Sequence, residues 1–267
     1  MPDLRARPPG YEVAREFLRL QEARPPRSRL ARIFGFDPIH EDAVGFLKGT
    51  LGEIEVGRIL KRLGPEWTVI HAVPAGAKGR DIDHLLVGPA GVFTLNTKRH
   101  KGKKVWVGGR AIQVNGQKTD HVRNSNSEVA HAAKVLSAAV GGPVVVRALL
   151  VIVGAESVTT KARAEGVTVL QSSQLLFWLK KQKPIHDPDA AAQLARIAAD
   201  SRTWQATDDY DGTVMDRFAV LRAEDDAAIW VRRTWGAGLL VGCLALILAA
   251  GPLISAALTG FFALMTP

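Results

Sequence analysis

Arg233 is the last charged residue of this 267-residue chain, and the 34 positions after it contain no Lys, Arg, Asp, Glu or His. From Gly236 to Met265 the only hydroxyl side chains are Ser255 and Thr259. About 20 apolar residues suffice for a helix to cross a hydrocarbon core of roughly 30 Å, so this run is long enough to span a membrane. A buried core helix of that length would need protein on every side, and such helices normally keep a polar stripe. The run therefore reads as a transmembrane anchor over residues 234–267, with everything before it outside the bilayer.

The flank of the run sets its expected orientation. Trp230-Val231-Arg232-Arg233-Thr234-Trp235 puts arginines and tryptophans at one level, the composition of a cytoplasmic membrane interface. The first ten residues, MPDLRARPPG, lack the apolar core of a secretory signal. A single-pass protein of the cytoplasmic membrane is expected, with its N-terminal domain in the cytoplasm and almost nothing beyond the far side. The lone cysteine, Cys243, lies inside the apolar run, which excludes an intrachain disulfide framework or a zinc knuckle. Gly251-Pro252 predicts a kink in the span.

Net charge is +9, and it is unevenly distributed. Between Gly45 and Val140 there are 15 Lys or Arg against 7 Asp or Glu, so 8 of the 9 excess charges fall in that stretch. Such a balance suits phosphate backbones or the anionic leaflet of a membrane. Charge alone does not separate the two.

Periodicity predicts the elements. Tyr11–Ala23 reads as a helix, followed by the basic, proline-broken linker RPPRSRLAR. Asp37-Pro38 resembles an N-cap pair, and a helix from Asp42 to Leu63 would turn Val44, Leu47, Leu51, Ile54, Ile59, Leu60 and Leu63 inward. Strands are expected at Trp67–Val73, Asp81–Val87 and Val92–Lys98, the last two joined through Gly88-Pro89-Ala90-Gly91. A second hairpin, Lys104–Val107 with Ala111–Val114, would turn at Gly108-Gly109. A helix over Ser127–Val140 precedes VVVRALLVIV (Val144–Val153), whose continuous apolarity marks a strand covered on both faces. Val167–Leu170 is a further strand, and Ser173–Lys180, Pro188–Asp200 and Thr213–Arg222 are helices. The boundaries expected are 1–40 for the N-terminal helix and basic linker, 41–182 for the main domain and 183–233 for a helical juxtamembrane segment.

The chemistry concentrates in Gly79–Lys98, GRDIDHLLVGPAGVFTLNTK. Strand alternation puts Asp81 and Asp83 on one face, and Asn96 and Lys98 together on one face of the partner strand. A carboxylate beside a lysine there suits metal-assisted phosphodiester hydrolysis: oxygen holds Mg²⁺, and the lysine acts on water or on developing phosphate charge. Glu53, on a helix that can pack against this sheet, adds another carboxylate. Asp81 reads more simply as a strand-end cap or a partner for Arg80, and Glu55 as an exposed helix residue. His84, His100, His121 and His131 lack zinc-ligand spacing and read as surface or packing residues. Arg99, Lys101, Lys103 and Lys104 follow the candidate lysine directly and are placed to contact a nucleic-acid backbone. Asn124 and Asn126 are further candidates for the same cleft. No phosphate-binding loop, dinucleotide fingerprint or serine-nucleophile elbow is present.

The pattern G-x-x-G-E (Gly49–Glu53), the segment DIDHLLVGPAGVF (Asp81–Phe93) and the Thr97-Lys98 that follows resemble the nuclease-related domain, NERD, over roughly residues 45–180. NERD is a branch of the PD-(D/E)xK superfamily of restriction-endonuclease-like folds. The resemblance implies an α/β sandwich with a central mixed sheet and a Mg²⁺- or Mn²⁺-dependent activity on DNA. By position, Glu53 resembles the helix carboxylate, Asp83 the motif aspartate and Lys98 the motif lysine, with Asp83, Glu53 and Asn96 around the metal. Asn96 departs from the pattern, since the family usually has an acid there. An amide oxygen still suits a hard cation but adds no charge. The rival expectation is therefore a catalytically silent nucleic-acid-binding or scaffold module tethered to the membrane.

Overall fold

The computed structural model describes residues 3–36, 38–75, 81–205 and 210–265, so Asp37 and Arg80 lie outside the described residues. The chain divides into two compact units, one of residues 1–20 with 41–216, the other of residues 21–40 with 217–267.

The first unit is a mixed α/β sandwich. Its helices are α1 (Tyr11–Glu22), which runs on into the second unit, α3 (Glu41–Leu60), α4 (His121–Val140), α5 (Ser172–Lys180) and α6 (Pro188–Ala199). Its strands are β1 (Thr68–Pro74), β2 (Asp81–Gly88), β3 (Gly91–Arg99), β4 (Lys104–Gly108), β5 (Ala111–Val114), β6 (Gln117–Thr119), β7 (Val146–Val153), β8 (Ser157–Thr160) and β9 (Val167–Gln171). The central sheet has the order β1-β2-β3-β7-β9, antiparallel through β3 and parallel from β3 to β9. A second sheet, β6-β5-β4-β8, is also mixed. This is the α/β sandwich with a central mixed sheet that the resemblance implies.

The apolar run in β7 explains its central place. Leu149, Val151 and Val153 join Val56 and Leu60 of α3 and Leu175 and Leu179 of α5 in one cluster. Ala148, Leu150 and Ile152 point the other way, into a cluster with Val105, Val107 and Ile112 of the second sheet. A strand covered on both faces cannot alternate with polar residues, and this one does not. A third cluster holds Ala132 and Leu136 of α4 and Ala195 and Ala198 of α6 against Leu85 and Val87 of β2.

Several expected boundaries move. In α3 the buried positions are Ala43, Leu47, Thr50, Gly52, Glu53, Val56, Gly57 and Leu60, whereas Val44, Leu51, Ile54, Ile59 and Leu63 are only half-buried. Leu47 and Leu60 are buried as expected, Val56 joins them, and small residues such as Gly52 fill the remaining buried positions. Helix α4 begins at His121, six residues before Ser127, so Asn124 and Asn126 are helical. The second hairpin turns at Gly109-Arg110, one residue later than expected, and β6 and β8 have no counterpart in the periodicity. Both are short: β6 pairs locally with β5 through the Asn115-Gly116 turn, and β8 is a strand by its parallel pairing with the distant β4.

In the second unit, α7 (Val214–Met265) is one helix of 52 residues. The expected helix at Thr213–Arg222 and the apolar run are thus continuous, and Gly251-Pro252 does not end the helix. Its stretch Val214–Gly251 is long and apolar enough to cross a membrane by length and composition, and none of that apolar window is buried. The proline-broken linker is not featureless either, because Arg29–Phe34 forms a short helix, α2, capped by Ser28 and Gly35.

Candidate metal centre and nucleic-acid cleft

The site is built where α3, β2, β3 and α4 converge. Gly52 allows the convergence: a Cβ there would lie 3.1 Å from Arg99 Cβ and 3.4 Å from Thr97 Cγ2, so a larger residue would push α3 off β3. The next residue, Glu53, is thereby carried under the sheet, 3% exposed. Asp81 and Asp83 of β2 meet it, and one ligand oxygen from each of Glu53, Asp81 and Asp83 lies within 4.8 Å of the others. The alternation that pairs Asp81 with Asp83 holds, but Asp81 is part of the acidic cluster and not merely a strand-end cap.

Strand β3 supplies the opposite wall. The Thr97 backbone N–H donates to Asp83 Oδ2 at 2.5 Å, which fixes that carboxylate against the adjoining strand. Asn96 is buried, and its Nδ2 donates to Glu128 Oε1 of α4 at 2.5 Å. Glu128 was invisible to the motif pattern, since nothing in the spacing links it to β3. Helix α4 carries it to the cleft, and the early start of that helix adds Asn124 one turn before it. Asn126 turns away instead and donates to the Glu165 carbonyl at 3.0 Å.

Together these residues line a cleft of about 1060 Å³, with Glu53, Asp81, Asp83, Asn96, Lys98 and Glu128 in its wall. Four carboxyl groups around one half-buried lysine are electrostatically unbalanced. Burial, followed by Asp83, pushes Glu53 well above the usual carboxylate range. The same two causes raise Asp81 to about 7 and Glu128 to about 8, and burial raises Asp83 against the pull of Lys98 and the Thr97 N–H. Four buried oxygens, Glu53 Oε2, Asp81 Oδ2, Asn96 Oδ1 and Glu128 Oε2, find no hydrogen-bond partner among the described residues. Buried acceptors normally have a donor or a cation, so this donor set fits a hard divalent ion.

The basic run continues from the cleft. Arg99 and His100 line it, while Lys101, Lys103 and Lys104 are exposed in the loop and the start of β4. Lys104 pairs with Glu156 at 3.7 Å. At the loop base His100 and His121 approach with their Nε2 atoms 3.1 Å apart, and burial with nearby lysines holds both below the usual histidine range. His84 is a core residue, its Nδ1 2.7 Å from Nδ1 of His71.

A mixed α/β sandwich with an acidic cleft beside a basic loop is a fold and site of the kind found in nuclease-like domains. Residues 48–153 match the family described as nuclease-related domain. No curated protein and no solved structure matches the chain significantly.

Proposed function

We propose that the chain is a membrane-anchored nuclease that hydrolyses DNA phosphodiester bonds with Mg²⁺ or Mn²⁺, its N-terminal domain facing the cytoplasm. The observation that carries this reading is the convergence of Glu53, Asp81 and Asp83 at one end of a cleft whose buried oxygens lack partners. Asp83, Glu53 and Asp81 would hold the ion, with Asn96 Oδ1 at its edge. A bound divalent ion supplies Lewis-acid stabilisation of phosphoryl charge and a more acidic water. Asp83 is oriented by the Thr97 N–H, and Asn96 by Glu128, which returns an acid to the place where the motif lacks one. Lys98 stands in the same wall to position water and offset charge on the phosphate. Arg99, Lys101, Lys103 and Lys104 would follow the DNA backbone by charge, independent of sequence.

The C-terminal helix supports membrane anchoring, and Arg232-Arg233 with Trp230 and Trp235 favour a cytoplasmic domain. A silent nucleic-acid-binding module is the second reading, favoured by the neutral Asn96. Calorimetric titration of the full chain in detergent with Mn²⁺, followed by incubation with plasmid, linear and branched DNA and with RNA, decides between them. Metal heat with cleavage is expected. Nucleic-acid binding without metal heat or cleavage would establish the second reading.

A further inference from the structure

The short helix α2 leaves its apolar face outward. Leu30, Ile33 and Phe34 share that face at helical spacing, and Phe36 follows it; Leu30 is 67% exposed and Phe36 53%. Arg32 lies on the opposite side and Arg29 flanks the face next to Ile33, and both are exposed. Six residues form no stable helix alone in water, so α2 depends on its caps and its docking. Ser28 Oγ accepts from the Ala31 N–H at 3.1 Å, and Gly35 closes the end at φ +73°.

Helix α2 is docked on α7 at one level, just before the apolar run. Trp235 Nε1 donates to the Ile33 carbonyl at 2.9 Å, and Arg232 Nη1 donates to the Gly35 carbonyl. The Phe34 and Trp235 rings lie 5.1 Å apart between centroids. Gly35 is required twice, for its positive φ and because a Cβ there would stand 2.5 Å from the Ala228 carbonyl. Asp225 stands near Arg27 and Arg232, whose charges act on its carboxyl. That leaves Arg29 and Arg32 as exposed cations on α2, with Arg233 exposed at the same level of α7, its guanidinium 6.0 Å from the Trp230 ring centroid.

We propose that α2 is a second membrane contact, lying in the plane of the interface, with Leu30, Ile33, Phe34 and Phe36 in the headgroup boundary of an anionic bilayer and Arg29, Arg32 and Arg233 on its phosphates. The occupant follows from continuity. The apolar face meets α7 at Trp235, where the candidate span begins, and a tryptophan at that depth belongs to the interfacial belt. Apolar face with flanking arginines is the composition of an interfacial helix, and basic residues next to an anionic leaflet are attracted to it. The inference rests on the anchor reading of α7, and it assigns a role to the linker that the span alone does not require.

The test uses the full chain reconstituted into vesicles of phosphatidylcholine with a quarter phosphatidylglycerol. Leu30→Cys or Ile33→Cys in a Cys243→Ser background carries an environment-sensitive fluorophore, and the native Cys243 is labelled in a parallel sample. Nitroxide lipids quench from shallow or deep positions. Residues 30 and 33 should lose most of their fluorescence to the shallow nitroxide, and Cys243 to the deep one. Arg29→Gln with Arg32→Gln, or pure phosphatidylcholine, should reduce the quenching at 30 and 33. Gly35→Ala, which undocks α2, should reduce it too. Quenching of Cys243 without quenching at 30 and 33 overturns the inference and leaves the anchor standing. Absence of quenching at Cys243 overturns the anchor and the inference with it. Energy transfer between labels at residue 33, in place of lipid quenching, would assign the face to a second copy of the chain. Equal quenching with and without the arginines or the anionic lipid removes the phosphate contact.

Discussion

The cleft and the C-terminal helix break the same rule in opposite directions. In the first unit, carboxyl groups that belong in water are buried: Glu53, Asp83 and their neighbours sit inside the wall of an α/β core. In the second, leucines that belong in a core stand in the open, Leu240 at 74% exposure among them. Each arrangement is costly in water, the first because buried charge needs a counter-charge, the second because exposed apolar surface costs roughly 25 cal/mol per Å². Each therefore fits the proposed reading, a cation in the cleft and a hydrocarbon layer around the helix. The lesson is that the most informative residues of both regions are those that would destabilise an isolated soluble domain.

The comparison breaks most completely if the tail is removed. A chain ending at Arg233 is expected to be released by carbonate washing, which strips a peripheral contact such as α2, while the full chain resists it. Retention of the shortened chain through that wash would mean that the apolar run after Arg233 is not what holds it. At the other region, Asp83→Ala and Lys98→Ala should each reduce metal-dependent cleavage by roughly 10²–10⁴-fold, the range for loss of a positioned catalytic group. Unchanged thermal melting in both variants would show that the loss is chemical.

A smaller effect sharpens the electrostatic half. The raised carboxyl groups bind protons more tightly in the folded state than in the unfolded chain, where carboxylates titrate near pH 4. Without metal, stability from this cluster is therefore greatest at low pH. It falls as pH rises through the folded values, about 7 for Asp81 and about 8 for Glu128. Mn²⁺ should offset that fall, and its affinity should increase over the same range because it displaces protons. Melting curves from pH 5 to pH 9 with and without Mn²⁺ would show two diverging lines; parallel lines would remove the cation from the cleft.

Asn96 and Glu128 carry a finer distinction. Asn96→Asp adds a negative ligand of nearly the same shape and should lower the Mg²⁺ concentration for half-maximal cleavage, by calorimetry and by rate. Glu128→Gln removes the carboxyl that orients Asn96 and should weaken metal binding by about 10- to 100-fold, as loss of an outer-shell partner does. Glu55→Ala should change neither activity nor, beyond about 0.5 kcal/mol, stability. A Glu55 effect as large as that of Glu53 would mean that α3 presents a different face.

Much of this was legible in the residue order. The charge-free run, the β2–β3 hairpin, the doubly covered β7 strand and the grouping of Asp83, Asn96 and Lys98 all follow from local patterns: hydropathy, period two and turn chemistry. Those patterns act over a few residues, so a linear reading captures them. The membership of Asp81 and Glu128 in the site was not legible. Asp81 reads as a strand end until Glu53 is brought within reach by a helix that approaches β3 closely at Gly52. Glu128 reaches Asn96 across 32 positions of sequence because α4 packs against β3 at that point. The linker is exposed as its prolines and arginines suggest, but the short helix within it was not legible, since α2 depends on Gly35 and on its docking on α7. Sequence alone determined the periods, the apolar span and the motif; which side chains share a cleft or a face was decided by tertiary packing, because proximity between distant segments has no local signature.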